Sequence, residues 1–268
     1  MIIDSHQHFW RLGTGLYGWI KPDNTALRRD FTGAELAPQL REAGVEGTIL
    51  VQADNREAEL AELLAHAEAA GFVRGIVAPL EIGRPGAAGR IAEMARHRLV
   101  VGFRPVLAEL ADAPQAAAEA LSSIEHFGLA LDCLAVGPAL DGIGGLAERH
   151  PGINFVLDHG GNPDPGSAGV DPAWRRRIER IAKYPNTCCK VSGLLTRMPA
   201  PEVATHVAVL REAFGTDRLL WGSDWPVLTR AGDYAGWMAL SRQFFTPEEA
   251  QGVFGGNAAR IYKLGERK

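Results

Sequence analysis

The chain alternates short, nearly continuous apolar runs with longer amphipathic stretches, eight times in succession. Apolar runs of this kind, bounded by turn residues, are typical of parallel strands buried on both faces. The predicted strands are Ile2 to Asp4, Thr48 to Gln52, Val73 to Ala78, Leu99 to Arg104, Leu129 to Leu134, Asn154 to Asp158, Thr187 to Val191 and Arg218 to Trp221. The helices predicted between them are Thr32 to Ala43, Glu57 to Ala70, Ala87 to Arg96, Pro114 to Phe127, Pro138 to His150, Pro172 to Tyr184 and Pro201 to Phe214. Strict alternation predicts a parallel sheet with crossover helices.

The length of 268 residues suits one (β/α)8 TIM barrel, so we predict an α/β chain with a single barrel domain over residues 1–268. A doubly wound open sheet is the alternative, but no Gly-x-Gly-x-x-Gly turn follows the first strand. Long loops are expected at Arg11 to Asp30 and Gly160 to Val170, and the alternation continues across both. Terminal helices are predicted over Asp233 to Gln243, Pro247 to Phe254 and Asn257 to Tyr262.

Two local patterns concern the helix ends and faces. Thr32 lies three residues before Glu35, which predicts a capping box at the start of the first helix. Glu35, Glu59 and the Glu248-Glu249 pair are predicted to lie on solvated helix faces.

Composition excludes several classes of protein. The formal net charge of −4 gives no electrostatic reason to expect a nucleic acid or an anionic membrane surface as partner. No apolar stretch approaches the roughly 20 residues of a membrane span, and the start of the chain lacks the pattern of a secretory signal. Cys133, Cys188 and Cys189 are expected to be small core residues of a protein in a reducing, cytoplasmic compartment. The oligomeric state stays open, with a homo-oligomer among the expectations.

Polar side chains collect where the predicted strands end. The carboxyl-terminal ends of barrel strands surround one shared mouth. His6 and His8 follow the first apolar run and are two residues apart, so in an extended strand they point to the same side. The other polar strand ends are Gln52, Gly102-Phe103-Arg104, Asp158-His159-Gly160-Gly161, Lys190-Val191-Ser192-Gly193 and Trp221-Gly222-Ser223-Asp224-Trp225-Pro226. We therefore predict a functional site at this mouth.

These motifs carry a resemblance to a known family. Asp-x-His-x-His on strand one, Asp-His on strand six and Gly-Ser-Asp-x-Pro on strand eight resemble the amidohydrolase superfamily. The fuller pattern is similar to its lactonase branch, and it comprises Ser5-His6-Gln7-His8-Phe9-Trp10, Val51-Gln52-Ala53, Gly102-Phe103-Arg104, Leu157 to Pro163 and Trp221 to Pro226. The resemblance covers essentially the whole chain and implies an enzyme acting on a small-molecule substrate.

The resemblance implies hydrolysis of a small sugar-acid lactone, such as L-fuconolactone or L-rhamnonolactone, to the free acid. More distantly, the chain resembles the metal-independent pyrone-dicarboxylate lactonases of the same branch. Superfamily members with two metals carry a bridging lysine or glutamate on strand four and a histidine on strand five. Here those strands offer Arg104, Asp132 and Cys133 instead, and a guanidinium cannot lose its proton to bridge metals.

One divalent metal at most is therefore expected, with Zn²⁺ preferred because imidazoles dominate the ligand set, or the enzyme dispenses with metal. Its ligands would be His6, His8, His159 and Asp224.

Ester hydrolysis needs an activated water and a stabilised oxyanion. Asp224 is the predicted general base. His6, His8 and His159 would polarise the carbonyl or orient the water, and Arg104 would hold the carbonyl oxygen, a ring hydroxyl or a substrate carboxylate. The residues predicted to bind substrate are Gln52, Trp19, Lys190 and Trp225.

From the sequence alone, three of the predicted catalytic residues could instead have purely structural roles. Asp224 could only cap the chain as it leaves strand eight, and His159 could be an ordinary loop histidine. Arg104 could merely neutralise a buried acid such as Glu81 or Asp132.

The predicted binding residues also have simpler interpretations. Strand parity could point Lys190 outward, and Gln52 could orient other groups rather than touch substrate. Trp19 could serve packing, while Asp4 is expected to lie behind the site residues.

Other functions remain as alternatives. They are a metal-dependent decarboxylase of an aromatic acid, a lactonase acting on a pyrone or muconolactone, and a barrel without catalytic activity. Clustering so many ionisable groups at one mouth disfavours the last of these.

Overall fold

Eight parallel strands form one sheet in sequence order. In a computed structural model that describes residues 1–164 and 169–266, the strands are β1 (Ile3–Gln7), β2 (Gly47–Val51), β3 (Val73–Leu80), β4 (Val100–Pro105), β5 (Ala130–Cys133), β6 (Phe155–Leu157), β7 (Thr187–Val191) and β8 (Leu219–Trp221). The sheet closes on itself because Gln7 bridges Trp225, and the Asp224 amide donates to the carbonyl of His6 at 2.8 Å. The predicted (β/α)8 barrel is confirmed. Residues 165–168, within the predicted loop Gly160 to Val170, lie outside the described residues.

Helices surround the barrel in the alternation that the sequence predicts. They are α1 (Gly33–Ala43), α2 (Glu59–Ala70), α3 (Ala87–Met94), α4 (Glu109–Asp112), α5 (Pro114–His126), α6 (Ile143–Arg149), α7 (Pro172–Ile181), α8 (Ala200–Phe214), α9 (Tyr234–Arg242), α10 (Pro247–Gln251) and α11 (Asn257–Ile261). The helix predicted over Pro247 to Phe254 is shorter than expected, since Gly252–Gly256 forms a π-helical turn. Among the described residues, no helix is both long enough and apolar enough to span a membrane.

The capping box lies at a different helix from the predicted one. Thr32 makes no side-chain capping hydrogen bond to the described residues of α1, and Glu35 pairs with Arg29 at 2.6 Å instead. A complete box stands at α10, where Thr246 Oγ1 accepts from the Glu249 amide at 3.4 Å and Glu249 accepts from the Thr246 amide at 2.8 Å. The prediction at Thr32 was therefore wrong because a guanidinium takes the carboxylate that the box requires.

The barrel interior is apolar at one end and polar at the other. At the amino-terminal end, apolar side chains from the strands fill the interior, and they include Ile3, Ile49, Val77, Val101, Val156 and Leu220. Ile261, at the end of α11, and Tyr262 pack against them. The three cysteines are free and buried, as predicted for core residues. The carboxyl-terminal end of the barrel therefore carries the ionisable groups.

Candidate active site

A cavity of about 400 Å³ opens at the carboxyl-terminal mouth of the barrel. Its lining includes six of the residues predicted from sequence to form the site: His8, Trp19, Gln52, Arg104, His159 and Asp224. A larger cavity, of about 730 Å³, lies at the opposite end beside Ile3, Val73 and Val101. Because barrel enzymes place their chemistry at the carboxyl ends of the strands, the smaller cavity is the candidate active site.

His6 and His8 project from β1 to the same side, as the two-residue spacing predicts. Their Nε2 atoms are 3.1 Å apart. His8 Nδ1 lies 2.8 Å from the carbonyl oxygen of Val51. A carbonyl only accepts, so the proton of neutral His8 resides on Nδ1 and its Nε2 lone pair faces His6 and the site.

Asp224 faces three imidazoles from the end of β8. Its Oδ1 is 3.4 Å from Nε2 of His8, 3.9 Å from Nε2 of His6 and 4.0 Å from Nε2 of His159. Asp224 and His159 both adopt left-handed backbone conformations, with φ of 59° and 53°. Such conformations are uncommon outside glycine and concentrate at functional sites. The histidines near the start of the chain, His159 and Asp224 therefore meet at one mouth of the barrel, although they lie far apart in the sequence.

His159 is oriented by Ser192, which directly follows β7. Its Nδ1 lies 2.9 Å from Ser192 Oγ, and its ring centroid is 4.5 Å from that of His6. Burial lowers the pKa of His159 below its usual value. Burial, followed by the charge of Lys190, lowers the pKa of His6 well below its usual value. Both imidazoles are therefore neutral near pH 7, which is the form that binds metals or accepts protons.

The donor set fits one divalent cation. A tetrahedral zinc ion with bonds of about 2.0–2.1 Å to nitrogen would hold its ligand atoms about 3.3 Å apart. The His6 and His8 Nε2 atoms are 3.1 Å apart, and Asp224 Oδ1 is 3.4 Å from His8 Nε2. The ligand atoms of His6, His8 and Asp224 all lie within 4.8 Å of one another. One cation bound by imidazoles and a carboxylate is chemically suited to this mouth.

A second cluster of ligand type comprises His6, Asp158 and His159. Asp158 already lies between two cationic side chains, because Arg104 Nη1 is 3.0 Å from its Oδ2 and Lys190 Nζ is 3.1 Å from its Oδ1. Burial alone would raise the pKa of Asp158, but Lys190, His6 and Arg104 hold it well below the usual value. These fixed charges disfavour a second metal ion.

Arg104 lines the cavity and neutralises a buried acid as well. It donates to Asp158 Oδ2 at 3.0 Å and to the Gln52 carbonyl at 2.5 Å. The acid is therefore neither Glu81 nor Asp132, the two considered from sequence. Gln52 in turn donates to the Arg104 carbonyl at 3.1 Å, so the ends of β2 and β4 support each other.

Lys190 lies beneath the cavity rather than at its wall. Its side chain is fully buried inside the barrel, with Nζ 2.5 Å from Asp132 Oδ2 and 3.1 Å from His6 Nδ1. The Tyr262 hydroxyl donates to Asp132 Oδ1 at 2.8 Å. The structure thus gives Lys190 neither the outward direction considered from sequence nor the predicted direct access to a substrate.

The two tryptophans predicted to bind substrate differ in position. Trp19 is 43% exposed, lines the cavity and donates through Nε1 to the Ala53 carbonyl at 2.7 Å. Trp225 is 1% exposed and packs edge-on against Phe9 and Phe31. Only Trp19 is therefore placed to meet a substrate.

Glu59 corrects another expectation, since it is fully buried rather than solvated. Its carboxylate accepts from the Ala53 amide at 2.9 Å and the Asp54 amide at 3.0 Å. Burial raises its pKa to about 7. Glu59 thereby fixes the loop that follows β2 and carries part of the cavity wall. Its position in the first turn of α2, directly after a polar loop, is the only sequence signal for this role.

Asp4 lies behind the site, as expected. It accepts from the His6 amide at 3.1 Å, the Ser223 amide at 2.9 Å and the Tyr234 hydroxyl at 3.0 Å. Burial raises its pKa to about 6. Asp4 therefore ties β1 to the segment after β8, so His6 and Asp224 hold a fixed relative position.

Sequence reasoning gave no site role to seven further cavity residues, although Leu134 and Asn162 lie in stretches that it singled out. The seven are Asn55, Leu134, Asn162, Thr196, Arg197, Val227 and Arg230. They belong to loops after strands, which in a barrel always overhang the mouth. That rule could have identified the loops, although not the individual side chains.

The fold and the site together define a class: a (β/α)8 barrel with a histidine and carboxylate cluster, suited to one divalent cation, at its carboxyl-terminal mouth. The chain belongs to the amidohydrolase family, whose sequence profile matches residues 3–264. The resemblance predicted from the strand-end motifs is thereby confirmed.

Individual relatives agree in length and architecture. The chain is 34% identical to an L-fucono-1,5-lactonase from Burkholderia ambifaria over 277 residues, covering 98% of this chain and 95% of the relative. It is 30% identical to an L-fucono-1,5-lactonase from Burkholderia multivorans over 286 residues, covering 98% and 96%. An amidohydrolase from Burkholderia multivorans, solved with bound zinc, superposes with a TM-score of 0.90 at 29% identity, covering 98% and 99% of the two chains.

Proposed function

We propose that the protein hydrolyses the ester bond of a small sugar-acid lactone, of the class that contains L-fuconolactone and L-rhamnonolactone, to the free acid. The observation that carries the proposal is the Asp224 carboxylate, which faces the Nε2 atoms of His6, His8 and His159 at 3.4 to 4.0 Å in a cavity of about 400 Å³. The two lactonase relatives support the same chemistry.

In this proposal Asp224 is the general base. It takes a proton from a water molecule as the water oxygen attacks the lactone carbonyl. It then returns the proton to the ring oxygen as the carbon–oxygen bond breaks, so that lactone and water give one hydroxy acid. Neutral imidazoles beside the carboxylate can orient the water, since each ring offers one donor and one acceptor nitrogen.

Arg104 is the proposed electrostatic partner of the substrate. Asp158 and the Gln52 carbonyl fix its guanidinium, so its remaining donors are held ready for a carbonyl oxygen, hydroxyl or carboxylate. Preorganised donors of this kind stabilise developing negative charge without reorganising. Trp19 would give a flat apolar wall to the sugar ring, and Gln52 would meet hydroxyl groups.

His6, His8, His159 and Asp224 would hold one divalent cation, with zinc preferred. When bound, the cation would supply Lewis acidity for the carbonyl and the water. The solved relative with bound zinc supports this choice of metal.

We infer a place in carbohydrate catabolism in the cytoplasm, with a small molecule as the partner. The three free, buried cysteines support a reducing compartment, and the formal charge of −4 gives no electrostatic reason for a nucleic acid or an anionic membrane as partner. The catabolic role follows from the proposed substrate class.

Acid release from a panel of aldonolactones, followed with a pH indicator, tests the proposal. L-Fuconolactone, L-rhamnonolactone and their stereochemical relatives are assayed before chelation, after chelation and after zinc is restored. We expect prompt proton release with at least one of these lactones. Silence across the panel, with carbon dioxide released from a hydroxybenzoate, would replace the lactonase proposal by the decarboxylase alternative.

The role of Asp224 is tested by Asp224→Asn. Loss of a general base lowers rates by about 10²- to 10⁴-fold, and we expect kcat to fall within or beyond that range. The melting temperature should change little, because the amide has the shape of the carboxylate. Asp112→Asn, at an exposed position of α4, is the matched control and should keep full activity. A near-normal rate for Asp224→Asn would show that another group is the base.

A further inference from the structure

A group of buried ionisable side chains lies beneath the candidate active site and contacts it at His6 Nδ1 and, through Asp158, at Arg104. Lys190, Asp132 and Asp158 have no exposed surface, and Tyr262 closes the group from below. Lys190 Nζ is 2.5 Å from Asp132, 3.1 Å from Asp158 and 3.1 Å from His6 Nδ1. The roles proposed above for the mouth of the barrel leave this buried lysine unused.

His6 Nδ1 has a donor and an acceptor at almost equal distance. The Lys190 ammonium, 3.1 Å away, can only donate, whereas the Asp158 carboxylate, 3.2 Å away, can only accept. Lys190 therefore suits the tautomer of His6 that carries its proton on Nε2. Asp158 suits the tautomer that carries it on Nδ1.

The geometry of the structure favours the first tautomer. The contact from Lys190 to His6 has hydrogen-bond geometry, whereas Asp158 Oδ1 lies 3.2 Å from His6 Nδ1 without the alignment of a hydrogen bond. With the proton on Nε2, His6 can donate to His8 Nε2 at 3.1 Å, and His8 Nδ1 donates to the Val51 carbonyl at 2.8 Å. A continuous chain of donors then runs from Lys190 to Val51.

A metal ion requires the second tautomer. Both Nε2 lone pairs must face the cation, so the His6 proton must lie on Nδ1. Histidines that bind metals commonly donate their other ring N–H to a carboxylate, and Asp158 Oδ1, 3.2 Å from His6 Nδ1, is the carboxylate oxygen placed to accept it. Exchange between the two forms moves one proton from Nε2 to Nδ1 and leaves the total proton count unchanged.

We propose that Lys190 is a positioning residue that holds His6 as the Nε2–H tautomer in the metal-free enzyme, and that a divalent cation binds only to the Nδ1–H tautomer, whose proton Asp158 accepts. The proposal rests on the proposed function only in taking these histidines as ligands of one cation. Lys190 then opposes metal binding in two ways. It stabilises the competing tautomer, and it places a positive charge against a ligand.

The test removes the ammonium without leaving a buried acid unpaired. Lys190→Met alone would strand Asp132, and an unpaired buried carboxylate strongly destabilises a fold. The informative protein is therefore the double variant Asp132→Asn with Lys190→Met. Asp132→Asn alone is its matched control, because it changes the pair but keeps the ammonium.

Imidazole nitrogen NMR of the metal-free proteins reports the tautomer directly, with the His6 signals assigned by their absence from His6→Gln. We expect Nε2–H in the wild type and in Asp132→Asn, and Nδ1–H in the double variant. A wild-type His6 with its proton on Nδ1 overturns the proposal, as does an unchanged tautomer in the double variant.

Zinc affinity, measured by competition with a chromophoric chelator, is the second readout. We expect the double variant to bind zinc at least ten times more tightly than Asp132→Asn. Equal or weaker binding, including absence of zinc binding by both proteins, overturns the proposal, because a merely structural lysine would give that result. Neither readout uses lactone turnover, so failure of the lactone assay and failure of this proposal are distinguishable.

Discussion

Gly193 shows how one residue without a side chain permits the site to form. It follows Ser192 at the end of β7 with φ of +65°. A Cβ atom there would lie 2.6 Å from Nδ1 of His159 and 3.2 Å from Oδ2 of Asp224. Real Cβ atoms do not approach other atoms so closely, so the backbone can support His159 only as glycine.

We expect Gly193→Ala to lower kcat/KM by about 100-fold or more, because a displacement of the order of 1 Å at reacting groups has effects of that size. Its free energy of unfolding should fall by about 1–3 kcal/mol from the strained backbone. Gly44→Ala is the matched control, since Gly44 has φ of +69° and no described atom lies within 4 Å of the added carbon. It should lose similar stability in urea denaturation and keep its activity. Comparable activity of the two variants would contradict this account.

Among elements, α1 and α10 begin with the same spacing but differ in structure. Thr32 and Glu35 match Thr246 and Glu249 in type and separation, yet only the second pair forms a capping box. Arg29 takes both carboxylate oxygens of Glu35 at 2.6 Å. A local motif therefore predicts a cap only when no stronger partner competes for its carboxylate.

We expect Thr246→Ala to reduce the free energy of unfolding by about 1 kcal/mol, the usual contribution of an N-cap. Thr32→Ala should change it by less than about 0.5 kcal/mol, as ordinary surface substitutions do. Urea denaturation of both variants measures the difference. Equal losses of unfolding free energy in the two variants would mean that the capping hydrogen bond of Thr246 does not stabilise the protein.

For the whole molecule, the sequence predicts the barrel because each strand and helix has its own local pattern. The same reasoning brings His6, His8, His159 and Asp224 to one mouth, since strand ends in a barrel converge. It fails for Lys190 and Trp225, both predicted to touch substrate. For Lys190, strand periodicity predicts the face that the side chain takes but not its layer along the barrel axis. Trp225 lies after β8, where strand periodicity does not apply, and it packs against Phe9 and Phe31.

Depth in the barrel depends on partners that lie far apart in the chain. Lys190 is drawn inward by Asp132 and Asp158, which are 58 and 32 positions away along the sequence. Glu59 is likewise buried because two loop amides need an acceptor, a requirement that appears only after β2 and α2 have packed. Such pairings follow from closure of the whole barrel, so no local pattern shows them.

Burial of Glu59 predicts how global stability depends on pH. Its pKa is about 7 in the folded protein and 4.5 in a free side chain, and burial is the largest cause of the rise. Below pH 4.5 both states are protonated and no penalty applies. Between pH 4.5 and 7 only the unfolded state ionises, so this group makes the protein less stable as the pH rises. A shift of this size corresponds to about 3 kcal/mol in total.

We therefore expect Glu59→Gln to gain stability relative to the wild type as the pH is raised from 5 to 7.5, by up to about 3 kcal/mol. Urea denaturation of both proteins at both pH values gives the difference in free energy of unfolding, taken as variant minus wild type. Groups with the opposite sign, such as His66 with its pKa lowered by burial to about 4, cancel in this difference. Glu42→Gln, on the exposed face of α1, is the control and should show a flat difference. A flat or falling difference for Glu59→Gln would mean that the carboxylate ionises as readily in the folded protein as in the unfolded chain.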